Sequence, residues 1–394
     1  MSSFIDNVIQ NGTKMHNVQL NSVSKKTISE LYHHLKHAYH RFDHVFQFDK
    51  IEDYIHIHKQ NIDSISQIAM PKTFSSSAFP KQFVATIQKT SKSMMKFHYL
   101  LKEKSVTIYF VLPEVLNEIN VSAIYRKVEI MIMWLHMIQH YANPKCSREI
   151  TIYIYATHLK KTLPTSSEIV LDWEHVNTAF TRGCNERSEV VIFRSEEWFK
   201  VFIHETMHCF GLDFLQDEMT KQTVLNMFYV NSDVNMFEAY VEFWAELINI
   251  MFYIFTNDRK SRLRKSIFLS NFERLMNLER HYSILQLVKV LRHMNLTYTD
   301  IIDEPLSVHN FKENSNVFAY YILECIFYYH INEMLEWCKI NNTNTLQFRR
   351  ESQKRLCEFI RKRYRNKRFL KDIESVSINS DLSLRMSLFD NLAF

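Results

Sequence analysis

The chain has 394 residues, a formal net charge of +5 and 46 % apolar residues. This length is enough for two or three domains with a substantial core, and the apolar content argues against wholesale disorder. Only three glycines occur, Gly12, Gly183 and Gly211, which argues against a glycine-rich phosphate loop and so against P-loop and Rossmann chemistry.

The cysteines and the N-terminus bear on the cellular setting. Six cysteines lie far apart and none forms a CxxC pair, which argues against a zinc ribbon and against a dense disulfide framework. Residues 1–7 lack the basic and apolar regions of a secretory signal. We therefore expect a reduced, intracellular protein that is not secreted and resides, if viral, in host cytoplasm or virion. The apolar stretches 241–255 and 317–329 contain acids, so we predict buried helices and no transmembrane span.

Residues 1–100 form a predicted helical N-terminal region. Apolar residues recur at helical spacing over 31–45, and a second phase of that segment carries His33, His37, His40 and His44. Such a stripe could bind metal, but no acid or cysteine at matching spacing completes a site. A solvated histidine face is the favoured interpretation, and 73–80 is a predicted loop.

Residues 101–255 form a predicted catalytic domain. Strands are expected at 105–112, 149–155 and 189–193, with a long helix over 124–141 and a short edge strand within 176–181. A helix should then begin with Ser195 as N-cap, carry Glu196 and Glu197 in its first turn, and stop at Gly211. With a helical C-terminal domain over 256–394, the expected class is α+β, predominantly helical with a small mixed sheet.

The most informative motif is His204-Glu205-Thr206-Met207-His208 on this last helix. His204 and His208 are four residues apart, so they share a helix face and could bind one metal ion. Glu205 lies one step round, where its carboxylate could reach a metal-bound water. Bulky apolar neighbours favour a buried helix, and a buried helix with two satisfied histidines is the alternative.

A catalytic zinc ion needs a third protein ligand. The metzincin continuation would place that ligand at 214, where Phe214 cannot bind a metal. Glu238, Glu242 and Glu246 instead recur every four residues on an apolar helix, and acids on a buried face are costly unless paired or metal-bound. We predict Glu238 as third ligand with Glu242 accepting a histidine N–H behind it. A one-turn shift to Glu242 and Glu246, or an exposed acidic stripe, are the alternatives.

The motif followed by Glu238-Ala239-Tyr240-Val241-Glu242 resembles the gluzincin group of zincin metallopeptidases. The resemblance covers roughly residues 105–250 and implies a zincin-like fold, bound Zn²⁺ and a peptide or protein substrate. It also implies that Glu205 accepts a proton from the attacking water, and that the strand near 176–181 pairs with an extended peptide. An oxyanion donor could be Tyr320, Tyr321 or His281. Segments 176–181 and 193–201 also look like uncharacterised proteins of large DNA viruses.

A second functional hypothesis comes from residues 348–371. This segment holds eleven Lys or Arg and two Glu, so it concentrates the positive charge of the chain. It could contact nucleic acid, an anionic membrane surface or an acidic substrate. On this alternative the protein is a binding module and the metal site is structural or silent, although a solvated basic helix is the more frequent meaning of such a run.

Overall fold

A computed structural model describes residues 15–47, 54–74, 79–377 and 381–394. The chain forms two compact units, each built from separate segments. The sheet unit takes its residues from 31–160, 178–212 and 390–394, and the helical unit takes its described residues from 1–30, 161–177 and 213–389. The division into 1–100, 101–255 and 256–394 stays a prediction.

The sheet unit is built on six strands in the order β1-β2-β3-β4-β6-β5. Neighbours β1, β2 and β3 are antiparallel, β3, β4 and β6 are parallel, and β5 runs antiparallel to β6 at the sheet edge. The strands are β1 His56–Asn61, β2 Ser93–Leu101, β3 Lys104–Leu112, β4 Glu149–Tyr155, β5 Ala179–Thr181 and β6 Arg187–Ile192. The sheet is therefore mixed, as the sequence predicts, and its edge strand is the predicted one.

Three helices accompany the first four strands along the chain. Helix α1 (Ser22–Gln47) precedes β1 and belongs to the sheet unit from Leu31 on, α2 (Lys81–Thr90) lies between β1 and β2, and α3 (Glu118–Ile138) lies between β3 and β4. Parallel strands need a long crossover, and α3 supplies it between β3 and β4. The Asn117 side chain caps α3 by accepting a hydrogen bond from the Asn120 amide. The prediction of a long helix here is confirmed, but the helix is Glu118–Ile138 and not 124–141.

The helical unit contains the remaining helices, apart from one described with the site. They are α4 Trp173–Val176, α6 Glu218–Leu225, α7 Met236–Asn257, α8 Arg259–Leu263, α9 Lys265–His293, α10 Tyr298–Asp303, α11 Glu324–Tyr329, α12 Ile331–Asn341, α13 Gln353–Arg361 and α14 Lys367–Glu374, with a π-helical segment Phe318–Leu323 and 3-10 turns Pro305–His309 and Arg350–Ser352. Helices α7, α9 and α11 pack together and are largely buried. The fold class is α+β and predominantly helical.

The apolar stretches 241–255 and 317–329 both lie in buried helices of this unit. Among the described residues, no helix is long and apolar enough to cross a membrane. The prediction of buried helices is confirmed for both stretches.

The N-terminal hundred residues contain two strands where the sequence predicted mostly helix. The apolar segment Ser93–Leu101 pairs with β3 along its whole length, through a two-residue turn in which Lys102 is left-handed at φ 56°. Partner strands decide between helix and strand for such an apolar run, and a single segment does not reveal its partners. Of the predicted loop 73–80, residues 75–78 lie outside the described residues.

A disulfide joins Cys146 to Cys184 in the sheet unit. The sequence does not predict this bond, because 38 positions separate the two cysteines and spacing alone cannot show that the backbone brings them together. The other four cysteines are buried and do not take part in this disulfide: Cys209, Cys325, Cys338 and Cys357.

Candidate metal centre

Helix α5 (Trp198–Cys209) carries the histidine motif and follows directly after β6 in the sheet unit. All twelve of its residues are buried, as expected for a helix that is apolar on nearly every side. Trp134 on α3 donates its indole N–H to the Thr206 hydroxyl at 2.7 Å, and that hydroxyl donates to the Phe202 carbonyl at 2.6 Å. The helix is thus fixed in rotation by a buried polar contact inside the motif itself.

The start of α5 differs from the prediction. Ser195 is not the N-cap, and the helix begins after Glu197, which is left-handed at φ 55°. The Asp390 carboxylate accepts a hydrogen bond from the Glu197 amide at 3.1 Å, and the Trp198 indole donates to the Asn391 carbonyl at 2.9 Å. Residues nearly two hundred positions away therefore set where the helix begins, which no local pattern can show.

The two histidines of the motif face each other. His204 Nε2 and His208 Nε2 are 3.1 Å apart, and both side chains are buried. Two nitrogen ligands at about 2.0–2.1 Å from a tetrahedral zinc ion are themselves about 3.3 Å apart. The donor set and its spacing therefore fit a shared metal ion with almost no rearrangement. Glu205, 8 % exposed, is buried on the adjacent helix position.

The end of α5 is closed by a glycine, as predicted. Gly211 is left-handed at φ 67°, its amide donates to the His208 carbonyl at 3.1 Å, and the Leu212 amide donates to the Met207 carbonyl at 3.0 Å. A Cβ at this glycine would lie 3.0 Å from Cys146 Sγ. The disulfide thus packs on the turn that follows the second histidine.

Helix α7 in the helical unit carries the predicted third ligand. Glu238 lies half-buried in its first turn, and the Tyr320 hydroxyl donates to Glu238 Oε2 at 3.0 Å. Asn235 Nδ2 donates to Asn316 Oδ1 at 2.7 Å, and Asn316 Nδ2 donates to the Tyr320 hydroxyl at 3.4 Å. This chain of bonds holds the Glu238 carboxylate in a defined orientation, as metal-ligating carboxylates are usually held.

The two acids further along α7 are fully buried. Glu242 and Glu246 are each 1 % exposed, so the exposed-stripe alternative is wrong. Burial raises the pKa of Glu324 on α11 to about 8; the Ser283 hydroxyl bond opposes that rise, the nearby Glu242 charge adds to it, and a hydrogen bond shared with Glu246 opposes it. The one-turn shift of the ligand register to Glu242 and Glu246 stays a prediction.

The structure groups the candidate residues in two sets. His204, Glu205 and His208 lie together on α5 of the sheet unit, and Glu238 and Glu242 lie on α7 of the helical unit. That residues of both helices bind one and the same metal ion stays a prediction.

The three candidate oxyanion donors have different surroundings within the helical unit. Tyr320 lies beside Glu238 on the π-helical segment, a distortion that recurs at functional sites. The Tyr321 hydroxyl donates to the Leu384 carbonyl at 2.6 Å. Burial, together with neighbouring Arg280, lowers the pKa of His281 to about 4. Of the three, Tyr320 is therefore bonded to a predicted ligand within its own unit.

The basic segment 348–371 consists of a 3-10 turn and the helices α13 and α14, with Phe359, Ile360 and Phe369 buried. Several of its cations have local partners. The Arg349 guanidinium donates to the Asn342 carbonyl, Arg365 pairs with Asp303, and Arg363 stacks on the Phe359 ring. Part of the positive charge therefore serves the packing of this unit.

Comparison with known proteins gives one distant relative. It is an uncharacterised protein of Acanthamoeba polyphaga mimivirus, 26 % identical over 185 residues, a match that covers 42 % of this chain and 44 % of the relative. The chain thus spans less than half the length of that viral protein. No family model and no solved structure matches the chain.

Proposed function

We propose that the protein is a zinc-dependent metallopeptidase. The observation that carries this proposal is the buried pair His204 and His208, whose Nε2 atoms are 3.1 Å apart with the Glu205 carboxylate on the adjacent position. Two imidazoles and a neighbouring acid on one helix are the donor and base set of metal-assisted hydrolysis.

His204, His208 and Glu238 would hold the ion. The oriented Glu238 carboxylate supports its role as third ligand, and the buried Glu242 one turn on supports its role as acceptor for a histidine N–H. A bound zinc ion polarises a carbonyl group and makes water acidic enough to attack at neutral pH.

Glu205 then moves the proton. Its carboxylate accepts a proton from the water that attacks the peptide carbonyl carbon and passes this proton to the leaving amide nitrogen. The single hydroxyl proton of Tyr320, which is bonded to Glu238 in this structure, would turn to the oxygen on which negative charge develops. The edge strand β5 orients the substrate, because the last strand of a sheet can pair with an extended peptide.

The proposal is tested with the full-length protein, Zn²⁺ and an unstructured peptide library. Glu205→Gln should keep its zinc and lose hydrolysis, because the amide is similar in size but is no base at neutral pH. Glu238→Ala should lose zinc affinity, whereas Glu218→Ala, which removes another first-turn acid on α6, should not. Metal analysis and cleavage assays on the same samples check these outcomes.

Three results would contradict different parts of the proposal. Full activity in Glu205→Gln rejects the mechanism, and a zinc-loaded wild type that cleaves no library peptide rejects the activity. Unchanged zinc content in Glu238→Ala rejects the ligand and moves it first to Glu242.

A further inference from the structure

A second histidine cluster lies in the sheet unit, away from the motif helix. His37 comes from α1, His136 from the last turn of α3, and His140 from the turn after α3. One ring nitrogen of each residue lies within 4.8 Å of the other two. The sequence shows the histidines of α1 as a stripe, and the completing partners come from another helix, which is why spacing along α1 alone missed them.

His136 is the residue that distinguishes this cluster from a solvated histidine face. It is 4 % exposed, and within the described part of the chain neither of its ring nitrogens has a hydrogen-bond partner. Buried polar groups are nearly always bonded, so a buried imidazole with both nitrogens unsatisfied needs an explanation. A metal ion would take the lone pair of one ring nitrogen and so account for that one of the two.

The surroundings suit a neutral imidazole. Burial disfavours the charged form of His136, and a neutral imidazole offers the lone pair of one ring nitrogen to a metal ion. Arg41 and Lys102 oppose a divalent cation, but both are exposed and water screens their charges.

The other two rings are accessible and adjustable. His37 and His140 are exposed, and their ring centroids lie 5.7 Å and 5.9 Å from that of His136. His34 stacks on His140 at 4.9 Å and is itself bonded to the Tyr141 hydroxyl at 2.6 Å. Small rotations of the exposed rings bring three nitrogens to the roughly 3.3 Å separation of a tetrahedral zinc site.

We propose that His37, His136 and His140 form a second metal-ion site for a divalent transition metal such as Zn²⁺. Three neutral imidazoles without a carboxylate suit zinc, copper or nickel and leave a fourth position for water or another ligand. His136 also borders a cavity of about 320 Å³ together with Tyr99 and Ile132, which gives the fourth ligand room. This site is independent of the proposed peptidase centre.

The test is a Zn²⁺ titration of the full-length protein, stripped of metal and followed by calorimetry, with Co²⁺ absorption as a second probe. His37→Ala and His140→Ala should each weaken the binding of one zinc equivalent at least tenfold, roughly the loss that even outer-shell changes cause. His33→Ala, an exposed histidine on the same helix, is the matched control and should bind as wild type does.

His136→Phe keeps a buried aromatic ring of similar shape and removes both nitrogens, so it should also lose this zinc equivalent and its cobalt spectrum. Peptide hydrolysis by His37→Ala should stay unchanged, which separates this site from the peptidase centre. Wild-type zinc affinity and stoichiometry in His37→Ala and His136→Phe, or an equal loss in His33→Ala, would overturn the proposal.

Discussion

At the scale of single residues, the proposed chemistry depends on how side chains are held. His204 and His208 need only the four-residue spacing of a helix to face one another. Glu238 needs more, because its carboxylate is oriented by Tyr320, which in turn is bonded to Asn316. The four-residue spacing of the histidines is visible in the sequence. The role of Tyr320 is not, because the sequence offers three candidate donors and only the contact with Glu238 favours Tyr320.

Tyr320→Phe should lower kcat by about 100-fold, the size of loss seen when one oxyanion donor is removed. KM should change little, but zinc affinity should also fall by about 10-fold, because Glu238 loses the hydrogen bond that orients it; kcat is therefore compared per bound zinc. Tyr321→Phe is the matched control, since its hydroxyl bonds the Leu384 carbonyl. That change should cost about 1 kcal/mol of stability and leave kcat per bound zinc intact. Wild-type kcat in Tyr320→Phe would reject the role.

At the scale of elements, the proposed function depends on α5, which carries His204, Glu205 and His208. Its interior follows from the sequence, since a buried helix with a glycine stop is visible in the residues. Its start at Trp198 does not, because Asp390 and Asn391 fix the backbone there. The bounds of the predicted extended segment 176–181 also differ in the structure. Asp172 caps a helical turn, Trp173–Val176, so that only Ala179–Thr181 remains as strand.

Gly211→Ala should destabilise the end of α5. An alanine in the left-handed region costs about 1–2 kcal/mol, and its Cβ would lie 3.0 Å from Cys146 Sγ. Gly183→Ala is the matched control, because nothing lies within 4 Å of a Cβ at that position. Urea unfolding of the sheet unit should show a lower midpoint for Gly211→Ala alone. Equal midpoints for the two variants would contradict this account.

At the scale of the whole molecule, buried histidines make stability depend on pH. The folded-state pKa of His281 is about 4, lowered by burial from its ordinary 6.5. Between these values the unfolded chain binds more protons, so stability rises with pH and is lost as the pH falls from about 6.5 toward 4.

From pH 7 to pH 5 this group should cost up to about 2 kcal/mol of stability. His281→Phe should therefore flatten the pH dependence of the urea midpoint over this range, because the ring no longer takes up a proton on unfolding. His309→Gln, an exposed histidine of the same unit, should retain the wild-type slope. A slope in His281→Phe equal to that of the wild type would show that another group dominates.

The sequence by itself determined the α+β class, the order of the strands β3, β4, β5 and β6 with the helices α3 and α5, and the histidine motif on a buried helix. These features depend on periodicity and spacing within one segment, which are local properties of a chain. Only the tertiary structure decided the strand identity of Ser93–Leu101, the start of α5 and the Cys146–Cys184 bond. It also brought His136 and His140 to His37. Each of these depends on partners distant in sequence, and local patterns carry no information on which distant segments meet.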